Sequence, residues 1–210
     1  MEIRIKSGLW FPHKHIIAVV CCLLGFLPLT AQTAQQVLDK TAAVVSNKSG
    51  AQATFVMKGG NLNTSGTIAI KGRKFQVTTP QATIWFDGKT QWTYVKQNDE
   101  VNVANPSEAE LQAINPYTFI YIYKNGYTPT MTKKGTSYEV HLTATDKKRG
   151  IQEMYIVMNA KSYVPSQIRL LRKGGWTTID ISNFKKATLA DAAFRFNSKD
   201  FPNAEIIDLR

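Results

Sequence analysis

Apolar and polar residues alternate with a period of two along most of the chain. "ATFVM" (53–57), "GTIAIKG" (66–72), "KFQVTT" (74–79), "ATIWF" (82–86), "TQWTYV" (90–95) and "EVNVA" (100–104) read as short strands, because successive strand side chains point to opposite faces and β-branched and aromatic residues suit that surface. Gly59-Gly60, Gly72, Pro80, Asp87-Gly88 and Asn98-Asp99 punctuate them, so the links are short and the strands antiparallel. Asp87-Gly88 is the clearest hairpin signal, with Gly supplying the positive φ of a tight turn. Trp85 stands just before it, and Trp92 and Tyr94 just after. Strands resume with "YTPTMT" (127–132), "SYEVHLTA" (137–144), "IQEMYIVMN" (151–159), "SQIRLLR" (166–172) and "WTTIDISNF" (176–184), and "DAAFRFN" (191–197) and "AEIIDLR" (204–210) close the chain in the same pattern.

The period changes to 3.6 in three places. Ala34, Val37, Leu38, Thr41, Val44 and Val45 form one stripe behind a Thr33/Gln36 capping box, and "SNKSG" (46–50) ends it. "NPSEAELQAI" (105–114) predicts a helix with Asn105 as cap and Pro106 in first position. In "NPYTFIYIYKNGY" (115–127), Phe119, Ile120, Ile122 and Tyr123 suit a helix face. The alternating Tyr117, Phe119, Tyr121 and Tyr123 also suit a strand; helix is the reading taken here, with Gly126 as its stop. The fold class is mainly β with α (α+β), of about eleven strands.

The first residues belong to a different class. Arg4, Lys6 and Lys14 precede the apolar run "IIAVVCCLLGFL" (16–27), and Ala31 suits the position before a cleavage site. This pattern predicts a secretory signal peptide over 1–31 and one domain over 32–210. Both cysteines, Cys21 and Cys22, fall inside it, so the exported chain has neither disulfide nor thiolate nucleophile. Val20 precedes Cys21, where a lipidated cysteine needs a small residue. The leader holds three of the 26 Lys/Arg and one of the 15 Asp/Glu, which leaves 23 and 14 and a formal charge of +9. The cations cluster as Lys133-Lys134, Lys147-Lys148-Arg149, Arg172-Lys173 and Lys185-Lys186, mostly at expected turns. Such clusters protect strand edges and solubility, or attract an anionic membrane surface or acidic partner. Nucleic acid is not an expected partner, given export and no recognised motif.

Catalytic groups are scarce after residue 31. His141 is the one histidine there, which leaves no convergent His/Cys metal ligands; it is the one possible base for a serine triad, and no nucleophile elbow is present. No catalytic residue, metal or cofactor is expected. Large apolar residues on both faces of single strands are abundant instead. Met154, Ile156 and Met158 share one face of their strand, with Tyr155 and Val157 opposite; Ile84 and Phe86 oppose Trp85. Such strands build either a packed core or a curved sheet around an adaptable apolar cavity, a role that flexible methionine suits.

"FDGKTQWTYV" (86–95) resembles the "DGKT-x-W-x-Y" hairpin of the periplasmic lipoprotein carrier family, LolA. "VLDK" (37–40), "IKGRKF" (70–75), "NDEV" (98–101), Asn115-Pro116, "YEVHLTATD" (138–146) and "DAAFRFNSKDFPNAEIIDLR" (191–210) extend the resemblance in order along the chain. It implies an incomplete antiparallel β-barrel whose short helices cover an apolar cavity. It also implies a monomeric periplasmic carrier that takes acylated lipoproteins from an inner-membrane ABC exporter to an outer-membrane acceptor. An envelope sensor or other lipid-binding module of the same fold is the alternative. The cavity residues expected on this reading are Trp85, Phe86, Trp92, Tyr94, Phe119, Ile120, Met154, Ile156 and Met158. Arg73 matches the family's lid-locking arginine, a guanidinium able to donate to several carbonyls at once.

Overall fold

The computed structural model describes residues 32–59, 62–108, 110–111 and 122–210. The capping box holds as expected. Thr33 N–H donates to Gln36 Oε1 at 3.0 Å and Gln36 N–H donates to Thr33 Oγ1 at 3.2 Å, starting helix α1 (Ala34–Val45). Val37, Leu38, Thr41 and Val45 form its buried stripe.

Twelve strands make one sheet. They are β1 (Ala51–Gly59), β2 (Leu62–Lys71), β3 (Lys74–Thr78), β4 (Ala82–Phe86), β5 (Gln91–Val95), β6 (Glu100–Ala104), β7 (Tyr127–Lys134), β8 (Ser137–Ala144), β9 (Glu153–Asn159), β10 (Pro165–Arg172), β11 (Gly175–Lys186) and β12 (Glu205–Asp208). The order across the sheet is β12-β6-β5-β4-β3-β2-β1-β11-β10-β9-β8-β7. Every neighbouring pair is antiparallel except β12 on β6, which is parallel. The sheet is open, with β12 and β7 as its edges. Pro129 and the Lys133-Lys134 doublet lie on β7, where they discourage further pairing.

The β6-to-β7 connection sets the curvature. These strands stand ten steps apart in the sheet, which would be roughly 48 Å if it were flat. Yet Leu111, early in the connection, and Ile122 and Tyr123, late in it, all join one hydrophobic core with α1 and the inner face of the sheet. The sheet therefore curls, which brings both ends of the connection to its inner side.

Several local expectations change. The hairpin at 86–91 has Gly88-Lys89 at its centre, not Asp87-Gly88. Asp87 N–H donates to Thr90 O at 3.2 Å, and Asp87 Oδ1 accepts from the N–H groups of Lys89 and Thr90 at 3.0 and 2.9 Å. Only Gly88 takes a positive φ there, +104°. The cap expected at Asn105 moves to Ser107. Ser107 N–H donates to Glu110 Oε2 at 2.7 Å and Glu110 N–H donates back to Ser107 Oγ at 3.4 Å, whereas Asn105 Oδ1 accepts from Thr90 Oγ1 at 3.0 Å. Most of the helix expected over 115–127 lies outside the described residues, but Gly126 does stop the chain before β7, with φ +79°.

The strand expected at 191–197 is a 3-10 turn, Asp191–Phe194, with Phe194 fully buried. The turn begins a strap over the outer face of the sheet, the face opposite α1. Asp191 accepts from Lys71 Nζ and Lys74 Nζ at 2.8 and 2.7 Å. Arg195 donates to Asp87 Oδ2 through Nε at 3.0 Å. Phe201 packs against Trp85 and Tyr94, ring centres 5.7 and 4.6 Å away, and Phe196 against Trp85 at 5.7 Å. The strap ends by pairing β12 to β6. Alternation in "DAAFRFN" therefore reflects anchor points on the sheet rather than a place within it.

The two lysines hold the Asp191 carboxyl down at about 2. A depressed carboxyl lends stability above its ordinary value of 3.8 that fades as pH falls through about 2. Acid titration over that window should release the strap, read as loss of the near-UV circular dichroism of its aromatic cluster. Asp191→Asn should already expose Arg195 and Lys199 to trypsin at neutral pH with far-UV signal unchanged. Equal protection in this variant and wild type would show that the aromatic contacts hold the strap alone.

Candidate functional site

The inner face of the sheet carries the hydrophobic core of the described residues. On β9, Met154, Ile156 and Met158 point inward and are buried. Met154 stands between Leu142 of β8 and Leu170 of β10, and Ile156 between Val140 and Ile168. Phe86 joins the same core from β4, its ring 5.3 Å from that of Phe75. Helix α1 covers this surface with Val37, Leu38 and Val45. Cover thins toward β12: on β4 and β5, Ile84, Gln91, Thr93 and Val95 also point inward and remain half-exposed. Gln91 donates from Nε2 to Thr93 Oγ1 at 3.1 Å, while its buried Oε1 receives no donor.

The nine expected interior residues divide. Phe86, Met154, Ile156 and Met158 face α1. Trp85, Trp92 and Tyr94 do not: Trp85 and Trp92 are cross-strand partners on the outer face, and Tyr94 follows two residues along the same strand. Trp85 is 6% exposed because the strap covers it. The reason is the pleat, which sends neighbours such as Trp85 and Phe86 to opposite sides. Phe119 and Ile120 lie outside the described residues.

Polar ties fasten the crossover segment. Tyr123, buried, donates its hydroxyl to Asp39 Oδ1 on α1 at 2.5 Å, and Lys124 Nζ lies 3.6 Å from the same oxygen. Burial, and then the bond to Asp39, raise the Tyr123 hydroxyl pKa well above its usual value. Tyr127 donates to Ile151 O at 3.0 Å, with the Arg149 guanidinium 5.1 Å above its ring. At the far end of the segment, Arg73 of the β2–β3 turn forms an ion pair with Glu108, one residue after the Ser107 cap. Lys71 and Lys74, which flank Arg73, hold Asp191 of the strap. Sequence reasoning missed the Asp39–Tyr123 tie and the Asp191 clamp. Each joins residues more than eighty positions apart, and no spacing rule reports that.

A separate hollow of about 280 Å³ opens on the outer face, lined by polar groups including Gln52, Thr54, Gln76, Asn183 and Lys185. Among the described residues, no group of three or more His, Cys, Asp or Glu side chains converges as a metal site.

Two substitutions separate packing from tethering. Ile156→Ala should cost about 2–5 kcal/mol in urea unfolding, as a fully buried aliphatic truncation does. Arg73→Leu should cost less than about 1 kcal/mol, because the Arg73 side chain is 57% exposed and surface ion pairs contribute little. A large loss for Arg73→Leu would make Arg73 part of the folded framework rather than a tether.

The family profile described as outer membrane lipoprotein carrier protein LolA matches residues 24–175. No curated protein sequence matches significantly. Among solved structures, an uncharacterized conserved protein from Thermus thermophilus superposes with a TM-score of 0.59 at 13% identity, covering 83% of this chain and 98% of its own. A LolA superfamily protein from Nitrosomonas europaea gives 0.44 at 14% identity over 79% and 99% of the two chains. The lipoprotein LppX of Mycobacterium tuberculosis gives 0.45 at 10% identity over 74% and 97%. The first of these bears on the fold, an open and mostly antiparallel sheet of the same kind. The profile spans most of the sequence and agrees with the observed architecture: this chain belongs to the LolA family of outer membrane lipoprotein carrier proteins.

Proposed function

We propose that this protein is a periplasmic carrier that shields the acyl chains of lipoproteins between sheet and helices and delivers them from the inner to the outer membrane. The observation that carries this reading is the character of the inner face. Met154, Ile156 and Met158 form an apolar ridge there, under cover fastened by a few polar ties at its margins. On this reading, Phe86, Met154, Ile156 and Met158 meet acyl chains once α1 or the crossover lifts away, and Phe119 and Ile120 move with the crossover.

The energetics fit a carrier. Burial is worth about 0.8 kcal/mol per CH₂, so a chain of about 14 carbons gains on the order of 11 kcal/mol inside. That gain offsets the apolar packing given up when the cover lifts, because acyl carbon takes its place. Among the described residues, the ties that must break include Arg73–Glu108, which is exposed, and the Lys40–Tyr163, Lys124–Asp39 and Asp39–Tyr123 contacts of α1. Open and closed states can therefore lie within a few kcal/mol, as ligand-driven switching requires. Arg73 acts here as the lock on the empty state. The inner-membrane ABC exporter and the outer-membrane acceptor are the partners this role needs. Residues 1–31 act as the cleaved export signal, and acyl carriage needs no catalytic group.

The test is uptake of a fluorescent fatty-acid probe. Wild type should bind it, Met154→Trp and Met158→Trp should lower uptake at least tenfold by filling the interior, and Trp85→Phe on the outer face should not. Arg73→Leu should raise probe affinity by unlocking the cover. Failure of the wild-type protein to take up the probe would sink the proposal. Depletion in the native host should strip lipoproteins from the outer membrane; unchanged sorting despite lipid binding would point to a sensor.

A further inference from the structure

Two turns and the end of β1 meet at one end of the sheet. Lys58 on β1 pairs with Thr178 on β11, which places the end of β1 beside the β10–β11 turn. Gly59 lies so close there that an added Cβ would stand 2.4 Å from Trp176 O. Gln152 N–H donates to Leu171 O at 2.8 Å, which brings the β8–β9 turn alongside. With strands about 4.8 Å apart, these strand ends form one rim roughly 20 Å long. It carries Lys58, Lys147, Lys148, Arg149 and Lys173 against two acids: Asp146, whose Oδ1 accepts from Lys148 N–H at 2.8 Å, and Glu153 at the start of β9, 3.0 Å from His141 Nε2.

The same end presents apolar surface. Trp176 is 42% exposed and Val56 38%. Both lie on the outer face, and the indole is held in place by Tyr155, 5.8 Å away between ring centres, and by the Arg169 guanidinium at 5.8 Å. The other exposed large apolar residues among those described, Ile206 and Leu209, lie near Asp208 on the β12 edge and lack this cationic setting. The opposite rim is also basic, but Lys71, Lys74, Arg73 and Lys134 are paired there with carboxylates, and the described residues expose no large aromatic beside them.

From this juxtaposition we infer that the rim formed by the end of β1 and the β8–β9 and β10–β11 turns docks the protein on an anionic phospholipid surface, with Trp176 in the headgroup layer and the lysines over the phosphates. Cations near a negative bilayer each add attraction that salt screens, and tryptophan favours the water–hydrocarbon boundary. An acidic protein partner would be served by the cations alone and gives no reason for a braced, exposed indole. This surface is distinct from the apolar interior, so the inference stands without the carrier role.

The experiment uses the protein as its host processes it, its N-terminus fixed by mass spectrometry. All variants share that N-terminus, so it cancels in their comparison. Flotation with vesicles of equal parts phosphatidylglycerol and phosphatidylcholine should recover the protein. Phosphatidylcholine alone should not, and raising salt from about 0.05 M to about 0.5 M should release it. Lys147→Glu, Lys148→Glu and Lys173→Glu together should weaken binding about a hundredfold. Lys133→Glu, Lys161→Glu and Lys186→Glu, an equal charge change on the opposite rim, should weaken it far less. Trp176→Ala should abolish the blue shift of tryptophan emission on binding. Equal losses in the two triple variants would reduce the effect to net charge and overturn the inference. Absence of wild-type binding, or equal binding to both vesicle types, would overturn it too. Fatty-acid uptake by the first triple variant should match wild type, which keeps this result separate from the test of the interior.

Discussion

Burial of apolar side chains on both faces of one open sheet is the constraint from which the rest of this architecture follows. A strand such as β4 sends Phe86 inward and Trp85 outward, and both are buried, so each face needs cover at that point. The inner face is met by α1 and the crossover segment, and the outer face by the C-terminal strap. The strap is fastened at both ends, by the Lys71–Asp191–Lys74 cluster and by β12 on β6. That pairing is parallel because the strap has already crossed the face from β3 and reaches the sheet edge running in the direction of β6.

The inner cover is built differently, and the difference bears on function. Among the described residues, α1 makes no backbone ladder with the sheet and is held through apolar contact and side-chain ties. Backbone ladders open only with strand unfolding, whereas side-chain ties at an edge open locally and at small cost. A cover of this kind suits an interior that must alternate between self-packing and holding a guest. The strap, which is laddered to β6, suits permanent attachment.

The excess of positive charge is likewise divided by the fold. Lys71, Lys74, Arg73 and Arg195 hold segments to the sheet through carboxylates. Lys147, Lys148 and Lys173 fasten no segment among the described residues, and they share a rim with the exposed Trp176. Cations at one end of the sheet thus include internal fasteners beside surface lysines, whereas Lys147, Lys148 and Lys173 at the other end are surface charge.

Local chemistry alone determined much of this protein. Strand periods from 53 to 104 and from 127 to 184, the Thr33 capping box and the Gly126 stop were legible because each depends on neighbours within a few residues. The resemblance carried by "FDGKTQWTYV" and the motifs around it placed the chain in its family. What the sequence left undecided was which face of each strand would look inward. Period two fixes that neighbours oppose each other, not which side meets α1, so Trp85, Trp92 and Tyr94 were read into an interior from which the pleat excludes them. The 191–197 segment misled for a related reason: its alternation matches a strand, but Asp191, Phe194 and Arg195 are spaced to reach partners on a sheet that exists only after folding. Tertiary structure alone decided the Asp39–Tyr123 tie, the Asp191 clamp and the rim shared by the end of β1 and the β8–β9 and β10–β11 turns, because each joins residues brought together by strand order, and strand order is set by long-range pairing that no local pattern encodes.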